Sequence, residues 1–436
     1  MINELVKQEL CTGCGICVSQ DRSHKAFMNK DKYGFIVPNV TEVSEENQHE
    51  MLKVCPFSPL KNNLDEDSLA EEFLVDSVNF SEKIGRYNGV YVGYSNEFRE
   101  TSSSGGIGTY VFHELLKSGI VESIFVVNDK NGKYEYGFID SIEDINSVSK
   151  TRYTPVTMEE LFLKINDIKG AVAVCGVGCF LKAIRLKQHL YPEFKKKIVF
   201  TIGIICGGLK SEFFSDYLSQ KAGINGAYRN QNYRLKDKNS TARDYSYGAL
   251  DMHDSTFKTV KMRSVGDMWG TGLFKSNACD FCDDVTTELA DISLGDAWIE
   301  PYSNDGLGNN VIVTRSILAD NLIKEGIKTN ALSVEELNYK SFVSSQRGSF
   351  THRQDALLYR LKRRSKKKLL IPQKRERVFK NISISAKLVQ SYRARVRKKS
   401  LIVWKENNDV VYFDAKLRNG KNMLRVLTKI NHYLRK

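Results

Sequence analysis

From residue 88 onward the chain alternates short apolar runs with amphipathic ones. The apolar runs are 87–94 (YNGVYVGY), 123–127 (SIFVV), 170–176 (GAVAVCG), 198–208 (IVFTIGIICGG), 290–296 (ADISLGD) and 309–315 (NNVIVTR). Between them, 105–119 (GGIGTYVFHELLKSG), 179–190 (CFLKAIRLKQHL) and 211–223 (SEFFSDYLSQKAG) place apolar residues at helical spacing. This strand–helix–strand alternation predicts an α/β body with a largely parallel sheet over 85–340.

The two ends follow other patterns. Residues 1–60 are rich in cysteine and turn residues and show little periodicity, which predicts a small module held together by something other than an apolar core. Residues 61–84 are acidic and polar and are expected to be a linker. Residues 341–436 are basic, with no glycine between Ser349 and Gly420, and are expected to be mainly helical. Within them 398–413 (KKSLIVWKENNDVVYF) alternates apolar residues and suggests a small hairpin around Trp404, Tyr412 and Phe413. The expected fold class is therefore α+β / α/β: a small ferredoxin-like module, an α/β body and a basic helical C-terminal region.

Charge sharpens that division. The net charge of +13 hides an uneven split, because residues 356–436 hold 25 Lys and Arg against 4 Asp and Glu. The preceding 355 residues hold 40 basic and 48 acidic groups. Runs such as Arg360–Lys368 read either as a solvated helix face or as a contact for an anionic surface. Of the anionic partners, a membrane surface is the expectation. No base-reading motif is visible, so no sequence-specific nucleic-acid partner is expected. No apolar run approaches the ~18 residues of a membrane span, and MINELVKQEL lacks an apolar signal core. A cytoplasmic protein, peripheral at the inner face of the membrane, is the expectation. In that compartment nine cysteines point to metal rather than disulfides.

Cys11-Thr-Gly-Cys14-Gly-Ile-Cys17 is C-x2-C-x2-C, and Cys55-Pro56 follows at a distance. Each two-residue gap turns the chain back toward a common centre, and a remote Cys-Pro supplies the fourth thiolate in bacterial ferredoxins. Position 21 is Asp, so the tight run has no fourth cysteine. These residues predict one [4Fe–4S] cluster on Cys11, Cys14, Cys17 and Cys55. A zinc knuckle is the rival, but zinc sites more often use two C-x2-C pairs or Cys with His.

Five cysteines remain: Cys175, Cys179, Cys206, Cys279 and Cys282. Cys279 and Cys282 form a C-x2-C pair. Cys179 opens a predicted helix and Cys206 ends a predicted strand. A lone cysteine is more often a small buried apolar residue, yet a C-x2-C pair alone leaves a metal half-ligated. Thr101-Ser102-Ser103-Ser104-Gly105-Gly106 lies between a strand and a helix, where hydroxyls and free N–H groups make either an anion site or an ordinary N-cap. Asp296 is expected to cap a turn, and His113 to be a packed core histidine. His24 and His352 have no evident partner.

The run from SSSGGIGTYVFHELLKSG through KTRYTP, AVCGVGCFLKAIRLKQ and IGIICGG to CDFCDD and ADISLGDAW resembles the coenzyme F420 hydrogenase/dehydrogenase beta subunit family, over about 85–340. An N-terminal ferredoxin module is a common fusion in that family. The resemblance implies an iron–sulfur flavoprotein oxidoreductase that binds FAD and a [4Fe–4S] cluster. With the N-terminal module that makes two [4Fe–4S] clusters. It implies a body cluster on Cys179, Cys206, Cys279 and Cys282, with Cys175 as rival to Cys179, since Gly178-Cys179-Phe180 replaces the family's usual Pro-Cys-Gln. It implies flavin contacts at Thr101, Ser102, Ser103, Ser104, Gly105 and Gly106 and at Lys150, Arg152 and Tyr153. The implied electron partner is a ferredoxin-like protein or a reduced deazaflavin, and the implied setting is bacterial exopolysaccharide synthesis. The alternatives are a non-catalytic electron-relay subunit of a hydrogenase or formate dehydrogenase, and a structural iron–sulfur protein with an anion-binding tail.

Overall fold

A computed structural model describes residues 1–130 and 132–434. The N-terminal module comprises helix Ile2–Lys7, a hairpin of β1 (Phe27–Lys30) and β2 (Ile36–Asn39), and helix Glu45–Lys53, whose start Ser44 caps by accepting the Asn47 N–H. Contrary to expectation, it has an apolar core. Ile2, Leu5, Ile16, Met51, Leu52 and Phe57 are buried in one continuous cluster with Phe180, Leu181 and Ile184 of the body. Asp21 replaces a cysteine ligand with a structural role: its carboxylate accepts the N–H groups of Ser23, Lys25 and Ala26 at 2.8–3.0 Å.

Residues 61–84 are not a free linker. Asp65 caps helix Glu66–Phe73, whose Glu66 pairs with Lys182 at 3.0 Å, both side chains being only 4% exposed. Strands β3 (Asn79–Ser81) and β4 (Gly85–Tyr87) follow. The segment straps the module to the body through that buried ion pair.

The body contains β5 (Gly89–Ser95), β6 (Ser123–Lys130), β7 (Lys133–Ile139), β8 (Val172–Val177) and β9 (Ile198–Ile204). A separate antiparallel sheet follows, of β10 (Tyr228–Leu235), β11 (Ser246–Asp251) and β12 (Phe257–Lys261). The chain then returns with β13 (Ile292–Asp296), β14 (Asn310–Thr314) and β15 (Leu332–Glu336). The main sheet runs β15-β5-β14-β13-β9-β8-β6-β7. Only the central β13, β9, β8 and β6 are mutually parallel; both flanks are antiparallel, so the sheet is mixed rather than largely parallel. The physical reason lies in the connections. Helix Gly178–Leu190 joins β8 to β9 and permits a parallel crossover, whereas too few residues separate β6 from β7 for anything but antiparallel pairing.

Side chains alternate across the sheet with period two. In β8, Val172 and Val174 join the core beneath helix Gly178–Leu190, while Ala173 and Cys175 join the opposite core with Phe200, Ile202 and helix Ile107–Lys117.

The C-terminal region is helical as expected, but it is not an appendage. Helices Ile384–Glu406 and Val410–Tyr433 form an antiparallel pair, with Ser385 Oγ bonded to Asn431 Oδ1 at 3.0 Å. This replaces the small hairpin expected over 398–413. Trp404, 1% exposed, packs its ring edge-on against Tyr217, Phe274 and Phe413 at 5.5–5.7 Å between centroids. Some of the region's positive charges are spent inside the molecule. Arg375 bonds Asp283 at 2.9 Å and Glu288 at 2.6 Å, Lys374 bonds Asp283 at 3.0 Å, and Arg397 bonds Asp280 at 3.1 Å. Among the described residues no helix is long and apolar enough to cross a membrane.

Candidate functional site

The first cysteine set sits on a loop shaped by two glycines. Gly13 and Gly15 have φ of 76° and 79°, left-handed values that side chains rarely adopt. The Gly13 N–H donates to Cys11 Sγ at 3.3 Å, and Gly15 opens the helical turn Ile16–Gln20 that carries Cys17. The Met158 N–H donates to the Cys14 carbonyl at 2.9 Å and clips the loop to the body. Cys11, Cys14, Cys17 and Cys55 converge. Burial pushes the Cys14 thiol up to about 11. Burial and then the neighbouring Cys14 sulfur push Cys55 up to about 12. Bare thiols so crowded stay protonated at neutral pH; a cationic centre is what makes four thiolates compatible.

The second set gathers from three loops. Cys179 lies in the first turn of helix Gly178–Leu190, Cys206 follows β9, and Cys279 and Cys282 straddle the end of the turn Ala278–Phe281. The Gly208 N–H donates to Cys206 Sγ and the Leu209 N–H to Cys279 Sγ, both at 3.2 Å. Burial raises the Cys179 thiol, and the sulfurs of Cys282, Cys279 and Cys206 raise it further, with a smaller push from Cys14 of the first set. The two sets are thus neighbours. Cys175 stands apart: burial alone pushes it up to about 12, and it faces the other core. The structure brings Cys179, not Cys175, to the C-x2-C pair. Among the described residues no three His, Cys, Asp or Glu side chains close around a single metal ion.

A cavity of about 1170 Å³ lies against both sets, with Cys11 on its wall from the first and Cys206 from the second. Ser102, Ser103, Ser104, Gly106, Lys150, Arg152 and Tyr153 also line it. Of the sequence-predicted contacts only Thr101 and Gly105 do not. Thr101 is exposed and bonds the Phe98 carbonyl, and Gly105 is pinned behind the wall, where a Cβ would meet the Gly93 oxygen at 2.7 Å. Gly106 has φ of 79°, a Cβ there would sit 2.6 Å from the Phe98 carbonyl carbon, and it opens helix Ile107–Lys117. Arg152 is a half-buried cation with no carboxylate partner: its guanidinium lies 4.5 Å over the Tyr134 ring and its Nε is unbonded. The N-terminus of a helix, three serines and an unneutralised guanidinium make one wall of the cavity suited to a phosphate or another anion.

Another stretch of the lining is aromatic. Trp269 packs edge-on against Tyr153 at 4.9 Å, with Tyr245 and Trp298 nearby on the lining. Asp296 is not a turn cap. It sits at the end of β13 and forms an ion pair with the buried Arg234 on the cavity wall. His113 is half-buried beside Phe98, as a packed histidine should be, and its Nδ1 lies 2.8 Å from Glu114.

Several lining or supporting residues carry no sequence signal. Lys210 donates to the carbonyls of Met268 and Leu273 at 2.8 and 2.7 Å, and burial pushes it down to about 7. Lys236 donates to the Ser104 carbonyl at 3.2 Å; burial and the neighbouring Lys150, Arg234 and Arg99 push it down to about 8. His352, left without a partner by the sequence, is half-buried between Lys275, Asp280, Gln390 and Arg393 at 2.9–3.2 Å. Only Trp269, set between Gly266, Gly270 and Gly272, stands in a loop whose composition marks it.

Two family models match the chain. The N-terminal model of the coenzyme F420 hydrogenase/dehydrogenase beta subunit covers residues 90–162, and the C-terminal model covers 170–340. Comparison with curated proteins returns no match. Among solved structures, a chain from the F420-reducing [NiFe] hydrogenase complex of Methanosarcina barkeri, studied as a xenon derivative, is similar with a TM-score of 0.51. Its identity is 17%, over 69% of this chain and 99% of that one, a likeness of fold. The two models together span more than half of the chain and contain both the SSSGG turn and the second cysteine set, and the chain belongs to the coenzyme F420 hydrogenase/dehydrogenase beta subunit family.

Proposed function

We propose that this chain is an iron–sulfur flavoprotein oxidoreductase. In this reading Cys11, Cys14, Cys17 and Cys55 hold one [4Fe–4S] cluster, and Cys179, Cys206, Cys279 and Cys282 hold another. FAD occupies the cavity between them, and the external partner is a ferredoxin-like protein or a reduced deazaflavin. The observation that carries the reading is that one cavity touches Cys11, Cys206 and the Ser102–Ser104 turn at once. The residues present fit these groups: two convergent sets of four thiols, and an unneutralised Arg152 beside a glycine turn with no room for a side chain.

Bound there, a flavin supplies exchange of two electrons with a small partner and of single electrons with clusters. The chain supplies the rest. Arg152 and Lys150 neutralise the anionic part of the ligand, and Gly106 lets the backbone approach it. Tyr153 and Trp269 narrow the cavity and exclude water. Lys210, with a pKa of about 7, holds or releases a proton at the cavity wall at neutral pH. Anaerobic mixing with a reduced ferredoxin tests the route. Flavin absorbance should bleach, and Cys14→Ser should slow the bleaching at least tenfold while flavin stays bound. Unchanged bleaching in that variant would remove the N-terminal set from the path.

The likeness to a chain of a multi-subunit hydrogenase supports the alternative of a relay subunit. A protein that turns over an electron donor alone is an enzyme in itself; one that does so only with added partner subunits is the relay. The setting in exopolysaccharide synthesis rests on the resemblance alone and enters no step of this route.

For the membrane-surface reading, support now comes from helix Val410–Tyr433. Met423, Val426, Ile430 and Tyr433 are 47–80% exposed at helical spacing, beside Arg425 and Lys429. Such a basic amphipathic face suits an anionic bilayer. The full chain should pellet with anionic liposomes at low salt, and Ile430→Asp should abolish that. Sedimentation of both alike, or of neither, would end the proposal.

A further inference from the structure

Arg353 lies in the helical turn Thr351–Asp355 and is only 4% exposed. Its Nη1 donates to the Asp284 carbonyl at 2.8 Å and stands 3.7 Å from Cys282 Sγ; its Nη2 donates to the Cys206 carbonyl. None of these partners is a carboxylate. Most neighbouring buried cations differ: Arg375, Lys374, Lys275 and Arg397 each hold Asp283, Glu288 or Asp280, whereas Arg360, among the described residues, bonds no carboxylate and has no sulfur contact of its own. A buried charge left unpaired is strongly unfavourable, so the counter-charge of Arg353 must come from elsewhere. The counter-charge nearest to hand is the Cys282 sulfur, 3.7 Å from its Nη1, with Cys206, whose carbonyl its Nη2 bonds, beside it.

We infer that Arg353 is the fixed counter-cation of the second cysteine set and raises the reduction potential of whatever cluster that set holds. The inference rests on the iron–sulfur reading above. Adding an electron adds negative charge, and a cation held a few ångströms away in a low-dielectric interior stabilises the reduced form. The same guanidinium ties the loop after Cys206 to the loop after Cys282, so the charge is held in place by the backbone it serves. The first set differs at Cys55. The cations acting on Cys55 are Lys182 and Lys374, and both are already paired, with Glu66 and Asp283. Of the two clusters, the one on the second set is therefore the better electron acceptor, and an electron entering at the first set moves downhill toward it. Arg353 is a positioning residue in this account and touches neither flavin nor substrate. It lies in the basic C-terminal region, beyond the two family matches.

The test is a redox titration of the full-length protein, reconstituted anaerobically with iron and sulfide and followed by electron paramagnetic resonance. Arg353→Gln removes the charge, and Arg353→Lys keeps it. The Gln variant should lower the potential of one cluster by at least about 59 mV, a tenfold change in a one-electron equilibrium, and leave the other unmoved. The Lys variant should recover most of the shift. A Gln variant that loads both clusters with wild-type potentials overturns the inference. If the Gln variant loses one cluster, retention of that cluster at near-wild-type potential in Arg353→Lys supports the counter-cation; loss in Arg353→Lys as well shows a purely structural fork and overturns it. Wild-type protein that assembles no iron–sulfur cluster defeats the underlying reading, a result distinct from loaded clusters with unmoved potentials.

Discussion

Ser103 Oγ accepts a hydrogen bond from the Thr151 N–H at 2.9 Å. This single contact joins the two segments that the sequence marked separately for flavin binding, the serine–glycine turn and the Lys150-Thr151-Arg152-Tyr153 stretch. They form one wall of the cavity because the chain between them, a sequence separation of 48 that includes β6 and β7, brings Thr151 back to the turn.

Disrupting that wall should release flavin. Gly106→Val forces a side chain into a backbone at φ 79° and within 2.6 Å of the Phe98 carbonyl carbon. Purified Gly106→Val should lack flavin absorbance while retaining the iron of the N-terminal set. Ser103→Ala loses one hydrogen bond of about 1 kcal/mol and should weaken flavin binding roughly fivefold by fluorescence titration. Full flavin content in Gly106→Val would put the cofactor elsewhere.

Cys179→Ser should lose about half of the iron, and Cys175→Ser should lose none. The first sits among Cys206, Cys279 and Cys282, and the second points into the opposite core. Iron analysis of the two variants decides between them, and the reverse pattern would overturn the placement.

Much of this was legible locally. Cysteine spacing in C-x2-C runs and the strand-then-helix rhythm of the body are written in neighbouring residues. What was not legible depends on distant partners. Arg375 neutralises Asp283 and Glu288 some 90 residues earlier, so part of the basic C-terminal region is an interior network. Glu66 likewise reaches Lys182, which turned an expected linker into a strap. The apolar alternation of 398–413 suggested strands, yet burial of Leu401, Trp404, Phe413 and Leu417 follows helical packing on Phe274 and Tyr217. Sheet direction was missed because connection length, not strand composition, sets it.

The interior network makes a stability prediction. Arg375→Met leaves Asp283 and Glu288 buried with half of their counter-charge gone. It should lower unfolding free energy by about 3–5 kcal/mol in denaturant titration at neutral pH. A change below about 1 kcal/mol would mean the pair behaves as a surface bridge.

Flavin affinity should fall with rising pH. Lys236, bonded to the Ser104 carbonyl, is charged below its pKa of about 8 and neutral above it, so the cationic wall weakens as pH rises through that value. A bound anion favours the charged form and moves the fall upward, never downward. Equilibrium dialysis from pH 7 to pH 10 should show a several-fold loss in the native protein and none in Lys236→Met. A pH-independent affinity in both would remove Lys236 from the site.

The central claim, that two four-cysteine sets and one flavin cavity form a single electron path, is tested most directly by counting. Protein purified without oxygen should carry about eight irons and eight sulfides per chain, with one FAD released on denaturation. Its optical spectrum should show cluster and flavin bands that bleach together on reduction. Stoichiometric zinc in place of iron, or about four irons with no flavin, would contradict it.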